Sequence, residues 1–144
     1  MKRQTLLTLT IAIAMTMTMN AQTIALHSST GVQIIKGNTA LATAYTAAQN
    51  GDTLYLSGHT FIPPGSFDKQ LSIFGAGHYV DSTLTTGKTF INGNVTLNEN
   101  ADLFYLEGVE ITGNFTISTN HSVNNVIIKR CKINGTFNAL GDLS

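Results

Sequence analysis

Apolar and polar positions repeat at a fixed distance in the second half of the chain. A six-residue phrase occurs three times, beginning at Ile91, Ile111 and Ile133, so the repeats are 20 and 22 residues apart. In each phrase an apolar residue precedes a Gly flanked by Asn or Thr, and a second apolar residue follows, which predicts strand, tight corner and strand. This period is too long for a hairpin and too short for a helix-turn-helix repeat, so the pattern predicts a solenoid of stacked strands.

One helix is predicted ahead of these repeats. Residues 38–51 are rich in Ala, Asn38 or Thr39 can cap the start, and Gly51 can end the helix in a left-handed conformation. The apolar positions that share one face are Leu41, Ala44, Tyr45 and Ala48. We expect this face to cover the first coil, since the terminal repeats of a solenoid need a cap. A short apolar segment at residues 32–35 precedes the helix.

Strand patterns follow the helix at short intervals. They lie at residues 52–58 and 71–77, then within coils at residues 89–97 and 103–117, and a last coil begins at Val126. Each alternates apolar residues with polar or aromatic ones. The predicted interior positions are Leu54, Leu56, Leu71, Ile73, Ile91, Val95, Leu97, Phe104, Leu106, Val109, Ile111, Phe115, Ile117, Val126, Ile128, Cys131, Ile133 and Phe137. The expected fold is an all-β parallel β-helix with a short N-terminal capping helix, incomplete at the C-terminus. A β-sandwich built from the same strands is the alternative.

Stacking at about 4.8 Å predicts which residues meet in neighbouring coils. Asn94 falls on Asn114, and Asn92 falls on Thr112 and then on Asn134, so we expect hydrogen-bonded polar ladders along one corner.

The single thiol, Cys131, is placed by the same register. Cys131 falls on Val109 and then on Thr89, within an apolar column. We therefore expect a small core residue rather than a nucleophile or metal ligand.

Composition and charge narrow the class of protein. The length of 144 residues indicates one domain. The formal charge is zero and only 11% of the side chains are charged, so the protein has no positive electrostatic potential that would attract nucleic acid. Lys2 and Arg3 precede an uncharged run that ends near Ala21, so residues 1–21 are predicted to be a secretion signal, too short and too rich in Thr for a membrane span. Residues 22–144 would then be the N-terminal part of a secreted or cell-surface parallel β-helix domain.

Residues 51–61, 69–77 and 89–93 carry a family resemblance. With the Ala-rich segment before them, they resemble the N-terminal coils of right-handed parallel β-helix proteins of the pectin-lyase-like superfamily. The family pattern has Gly-Thr-Tyr at the first corner, from which His59 and Phe61 depart. The resemblance implies right-handed coils. The superfamily contains lyases, glycoside hydrolases, adhesins and autotransporter passengers, so the fold leaves function open.

The acidic residues and histidines do not follow a catalytic or metal-binding pattern. Glu107 and Glu110 are close in sequence, but the repeat places them opposite Lys129 and Lys132, which predicts two outward ion pairs rather than an acid pair. The four histidines lack metal-ligand spacing: they are His27, His59, His78 and His121. We assign no catalytic residue, no metal and no cofactor.

Four residues are candidates for ligand binding. His78, Tyr79 and Asp81 follow a Gly-Ala-Gly corner, in a loop where a ligand could lie. Arg130 is the fourth, because related lyases use Arg or Lys as a base, although a solvated strand residue is the alternative. Asn94, Asn114, Asn120 and Asn134 match the glycosylation pattern, but corners that favour Asn beside strands that favour Thr produce it without glycosylation.

Two function classes agree with the sequence. The first is a secreted or cell-surface module, non-catalytic in the part present, that contacts a polysaccharide or another protein. The second is the N-terminal part of a polysaccharide lyase or glycoside hydrolase whose catalytic coils lie beyond Ser144. Because the last coil is unfinished and would expose Phe137 and Leu140, another protein chain could also pair with the C-terminal edge.

Overall fold

A computed structural model describes residues 22–79, 86–118 and 122–139, and within them the chain forms a β-solenoid of about four turns. The signal peptide predicted for residues 1–21 lies outside the described residues, as do Asp81, Asn120, His121 and Leu140. The helix α1 spans Ala40–Ala47. The strands are β1 Thr23–Ser28, β2 Gly31–Lys36, β3 Thr53–Leu56, β4 Thr60–Phe61, β5 Ser72–Phe74, β6 Phe90–Ile91, β7 Val95–Leu97, β8 Tyr105–Glu107, β9 Glu110–Ile111, β10 Phe115–Ile117, β11 Ile127–Lys129, β12 Lys132–Ile133 and β13 Phe137–Ala139.

Three sheets run along the solenoid. Sheet A has the order β11-β8-β5-β3-β1-β2, sheet B the order β12-β9-β6-β4, and sheet C the order β13-β10-β7. All pairs between coils are parallel. This stacking confirms the expected β-helix, and the alternative of a β-sandwich is wrong.

The predicted register of the repeat is confirmed. Ile111 pairs with Ile91 on one side and Ile133 on the other, and Phe115 lies between Val95 and Phe137. The predicted interior residues from Leu54 to Phe115 are all buried. Ile117 and the predicted interior residues of the last coil, β11–β13, are only partly buried. Phe137 is 51% exposed, because no described strand lies beyond β13.

A hairpin that the sequence pattern did not predict covers the N-terminal end of sheet A. β1 pairs antiparallel with both β2 and β3, and its Ile24 and Leu26 lie opposite Leu56 and Leu54. The apolar segment at residues 32–35 belongs to β2. Beyond β3, sheet A therefore extends by β1 and β2, each antiparallel to its neighbour. These two strands cover the first coil together with the helix.

The helix is shorter than residues 38–51. Thr39 occupies the N-cap without a side-chain hydrogen bond, and α1 ends at Ala47, before Gly51, whose φ of +91° belongs to the following turn. Leu41 and Ala44 are buried as predicted, against the N-terminal hairpin. Within the described residues, no helix is long and apolar enough to cross a membrane.

Lys69 and Tyr45 fasten the helix to the first coil. The Lys69 ammonium donates to the carbonyls of Tyr45 at 2.8 Å and Ala48 at 2.9 Å, which satisfies acceptors at the helix C-terminus. The Tyr45 ring packs edge-on against Phe67, with centroids 5.3 Å apart. Burial, together with the hydrogen bond to Asp68, raises the pKa of Tyr45 to about 12.

The predicted polar ladder is confirmed over most of its length. Asn94 Oδ1 accepts a hydrogen bond from the backbone N–H of Asn114 at 2.9 Å, and Asn114 Oδ1 accepts one from the backbone N–H of Thr136 at 2.8 Å. Thr112 donates to Asn92 at 3.0 Å. Asn134 does not extend this second ladder, because its side chain donates to Glu110 instead.

In the second and third repeats the glycine of the phrase, Gly113 or Gly135, is required by the stacking of coils. A Cβ on Gly113 would lie 2.7 Å from the Gly93 carbonyl oxygen and would also meet the Asn94 side chain. Because real Cβ atoms do not approach so closely, the corner accepts only Gly while the Asn ladder is in place.

Candidate functional site

Aromatic rings form a ladder on the outer face of sheet A. The rings of His27, Tyr55, Phe74 and Tyr105 follow one another with centroids 4.9, 5.3 and 5.2 Å apart. β3, β5 and β8 point their apolar residues Leu54, Ile73 and Leu106 inward, so alternating residues point outward. Parallel pairing places Tyr55 on Phe74, whereas His27 and Tyr105 reach the neighbouring ring diagonally, two residues away in register. We call these four residues the outer ladder.

Aliphatic side chains extend the outer ladder at both ends. Val32 and Ile34 on β2 are 59% and 55% exposed, and Ile127 on β11 is also exposed. The Lys129 ammonium lies 5.6 Å from the centroid of the Tyr105 ring. The face thus presents a continuous apolar stripe along the solenoid, and such stripes mark contact surfaces.

Glu107 lies beside the outer ladder and is nearly enclosed. It is only 8% exposed, although its side chain points away from the core. Its two carboxylate oxygens accept hydrogen bonds from the Tyr105 hydroxyl and the Arg130 guanidinium. The prediction of Lys129 as its partner is wrong: Lys129 has the expected register, but Arg130 makes the ion pair.

The position of Arg130 explains this partner. β8 and β9 are joined by Gly108 and Val109, and in the next coil β11 and β12 are joined by Arg130 and Cys131. Arg130 adopts the left-handed conformation of this tight corner, with φ of +48°. Its side chain returns over the coil below and reaches Glu107.

A concavity of about 260 Å³ lies at this corner, beside residues 75–79, which follow β5. Its lining includes Phe74, His78, Tyr79, Glu107 and Arg130, with glycine backbone between them. The His78 and Tyr79 rings lie with centroids 4.1 Å apart. Three of the four predicted binding residues therefore line one site, and the fourth, Asp81, lies outside the described residues.

Phe74, Tyr105 and Glu107 are the members of this region that were not predicted as binding residues. Their signal in the sequence is alternation, because an aromatic or acidic residue occupies the outward position of each strand. Only the stacking of coils shows that these outward positions belong to one surface.

The second buried carboxylate, Glu110, belongs to a different face. It lies on sheet B, where Lys132 approaches at 2.9 Å, Asn134 at 3.0 Å and Lys88 at 3.6 Å. The hydrogen bond from Asn134 and the charges of Lys132 and Lys88 lower the pKa of Glu110 despite its burial. The predicted Glu110–Lys132 pair is confirmed.

Cys131 occupies the predicted column above Val109 and Thr89. Backbone hydrogen bonds from Lys132 to Val109 and from Glu110 to Thr89 fix this register. Cys131 is half-buried, and burial raises the pKa of its thiol. The thiol donates to the Lys129 carbonyl at 3.2 Å.

No protein-family model, no curated protein and no solved structure matches the chain. In the part of the chain that the structure describes, no group of three or more His, Cys, Asp or Glu side chains could hold a metal ion.

Proposed function

We propose that this chain is a binding module of a secreted or cell-surface protein, non-catalytic in the part present, and that it binds a polysaccharide. The observation that carries the proposal is the concavity in which the Phe74 and Tyr79 rings meet the Glu107–Arg130 pair. The signal-like pattern of residues 1–21 supports export. The resemblance of residues 51–93 supports a right-handed solenoid related to the pectin-lyase-like superfamily.

The chemistry of the concavity suits a sugar ring. Aromatic rings such as Phe74 and Tyr79 pack against the apolar C–H faces of a pyranose. The Arg130 guanidinium, which Glu107 holds in place, is largely exposed and can donate hydrogen bonds to adjacent hydroxyls. About 260 Å³ is near the lower limit for small-molecule sites. One sugar unit would enter, and the rest of the polysaccharide would follow the outer ladder.

Among the residues that the structure describes, the two buried glutamates favour binding over hydrolysis. Both oxygens of Glu107 already accept hydrogen bonds, and Glu110 points from sheet B toward Lys132. A glycoside hydrolase needs two carboxyl groups on either side of one bond. Glu107 lies on sheet A and Glu110 on sheet B, so these two carboxylates do not form that arrangement.

The test measures the retardation of the purified protein in native gels that contain soluble neutral and acidic polysaccharides. Arg130→Gly removes the guanidinium while keeping a residue suited to the left-handed corner, as Gly108 is in the coil below. Tyr79→Ala removes the ring that is 68% exposed. The control is Ile62→Ala, an exposed apolar residue that does not line the concavity.

We expect at least one polysaccharide to retard the wild-type protein, with apparent affinity about tenfold lower for both site variants. The control should bind as the wild type does. Circular dichroism would establish that each variant is folded. Absence of retardation by every polysaccharide, or equal retardation of folded Arg130→Gly, Tyr79→Ala and wild type, would overturn the proposal.

A further inference from the structure

Strand β2, Gly31–Lys36, is the last strand of sheet A at its N-terminal side. The hairpin register pairs Gly31 with Ser28, and the Gly37 amide donates to the Gln22 carbonyl at 3.0 Å. Hydrogen-bonded pairs alternate along antiparallel strands, so Gly31, Gln33 and Ile35 direct their backbone groups toward β1. The backbone groups of Val32, Ile34 and Lys36 therefore point away from the sheet.

This edge lacks the features that usually prevent strands from pairing. It contains no Pro, and its one charged residue, Lys36, lies at its end. Two side chains on its outer face, Val32 and Ile34, are apolar and more than half exposed. No described strand lies beside it.

We propose that β2 pairs with β2 of a second copy of this chain, antiparallel and about a two-fold axis at Ile34. In this register Ile34 faces the partner's Ile34, and Val32 faces the partner's Lys36. All three residues whose backbone groups point outward then form hydrogen-bonded pairs. The two Lys36 side chains lie four residues apart along the strands, about 13 Å, which exceeds the Debye length in physiological salt.

Charge favours this two-fold arrangement over a head-to-tail one. β2 runs parallel to β3, and β3 runs parallel to β11, the other edge of sheet A. A head-to-tail contact would pair β2 with the partner's β11 in parallel and bring Lys36, at the end of β2, toward the partner's Lys129, at the end of β11. The two-fold pairing avoids that repulsion and joins the two apolar stripes into one.

Disulfide trapping tests the register. In a background with Cys131→Ala, Ile34→Cys places two thiols on the axis, where the Cα atoms of a hydrogen-bonded pair lie about 5.5 Å apart, within the range of a disulfide. Val32→Cys is the matched control, because its two copies lie about 13 Å apart. Under mild oxidation we expect a covalent dimer for Ile34→Cys and little for Val32→Cys.

A second measurement needs no crosslink. Sedimentation of the purified protein should show a mass that rises toward twofold with concentration, and Ile34→Lys should abolish the rise by placing two charges on the axis. Ile62→Lys, at an apolar position away from β2 that is also more than half exposed, should leave the rise in mass unchanged. Equal crosslinking at residues 32 and 34, or a mass that stays monomeric, would overturn the proposal. A folded monomer in which the thiol introduced by Ile34→Cys resists labelling would instead show that β2 is covered within its own chain, which also overturns it.

Discussion

Arg130 lies one coil above Gly108, at the same tight corner, and both residues have positive φ, +48° and +71°. The left-handed conformation costs little for Gly and considerably more for a residue with a side chain. Arg130 keeps it while its guanidinium binds Glu107, so the ion pair and the corner conformation are coupled.

We predict that Arg130→Val unfolds at a lower urea concentration than Arg130→Gly. Both variants lose the bond to Glu107, but a β-branched residue at φ of +48° carries backbone strain, and the difference should be about 1 kcal/mol. Urea denaturation followed by circular dichroism measures it. Equal midpoints would mean that the corner tolerates any residue.

The core column predicts a large effect at Ile111. It is fully buried between Ile91 and Ile133, so Ile111→Ala should lower the free energy of unfolding by about 2 to 5 kcal/mol. Thr112→Ala, at the exposed neighbour, loses only surface hydrogen bonds and should cost about 1 kcal/mol or less. Similar losses for the two variants would contradict the register of the coils.

Acid should weaken the fold through Glu110. Its pKa is lowered in the folded state, so its contribution is complete above the carboxyl pKa of the unfolded chain, about 4.3. That contribution is lost as pH falls through the lower folded value. Below about pH 4.5 the wild type should lose stability more steeply than Glu110→Gln. Urea midpoints at pH 7, 5, 4 and 3 test this, and parallel curves would refute the assignment.

Cys131 should react slowly with thiol reagents in the folded protein. Its side chain is half-buried and burial raises the pKa of the thiol, so the reactive thiolate is scarce near neutral pH. Labelling with and without urea at pH 8 measures the protection. Equal rates would place Cys131 at the surface and restore the possibility of a reactive role.

The repeated phrase predicted the coils because inward apolar residues must stack on their equivalents. Ile91, Ile111 and Ile133 lie in one column for this reason. The hairpin was missed because Thr23–Ser28 directly follows the predicted signal peptide and its turn at residues 29–30 contains no Gly or Asn. The helix prediction was too long because Ala-rich sequence favours helix beyond the point at which Ala48 turns to an extended conformation.

The candidate site was only partly predictable. His78 and Tyr79 were identified from their loop, but residues 75–89 do not obey the spacing of the repeat. The sequence therefore did not show that His78 and Tyr79 line the same concavity as Arg130. Lys129 was wrongly predicted as the partner of Glu107, because the register describes only which backbone positions are neighbours. The left-handed conformation of Arg130 directs its side chain toward Glu107 instead.

The reversal of strand direction at β1 gives the solenoid a polarity for evolutionary growth. Duplication of a 20- or 22-residue unit would create a coil that stacks in parallel on β11, β12 and β13. At the other end of sheet A, a further coil would not continue the winding of the chain, because the antiparallel strand β1 lies between β2 and β3. Duplication of the repeat would therefore lengthen the solenoid at the end formed by β11, β12 and β13.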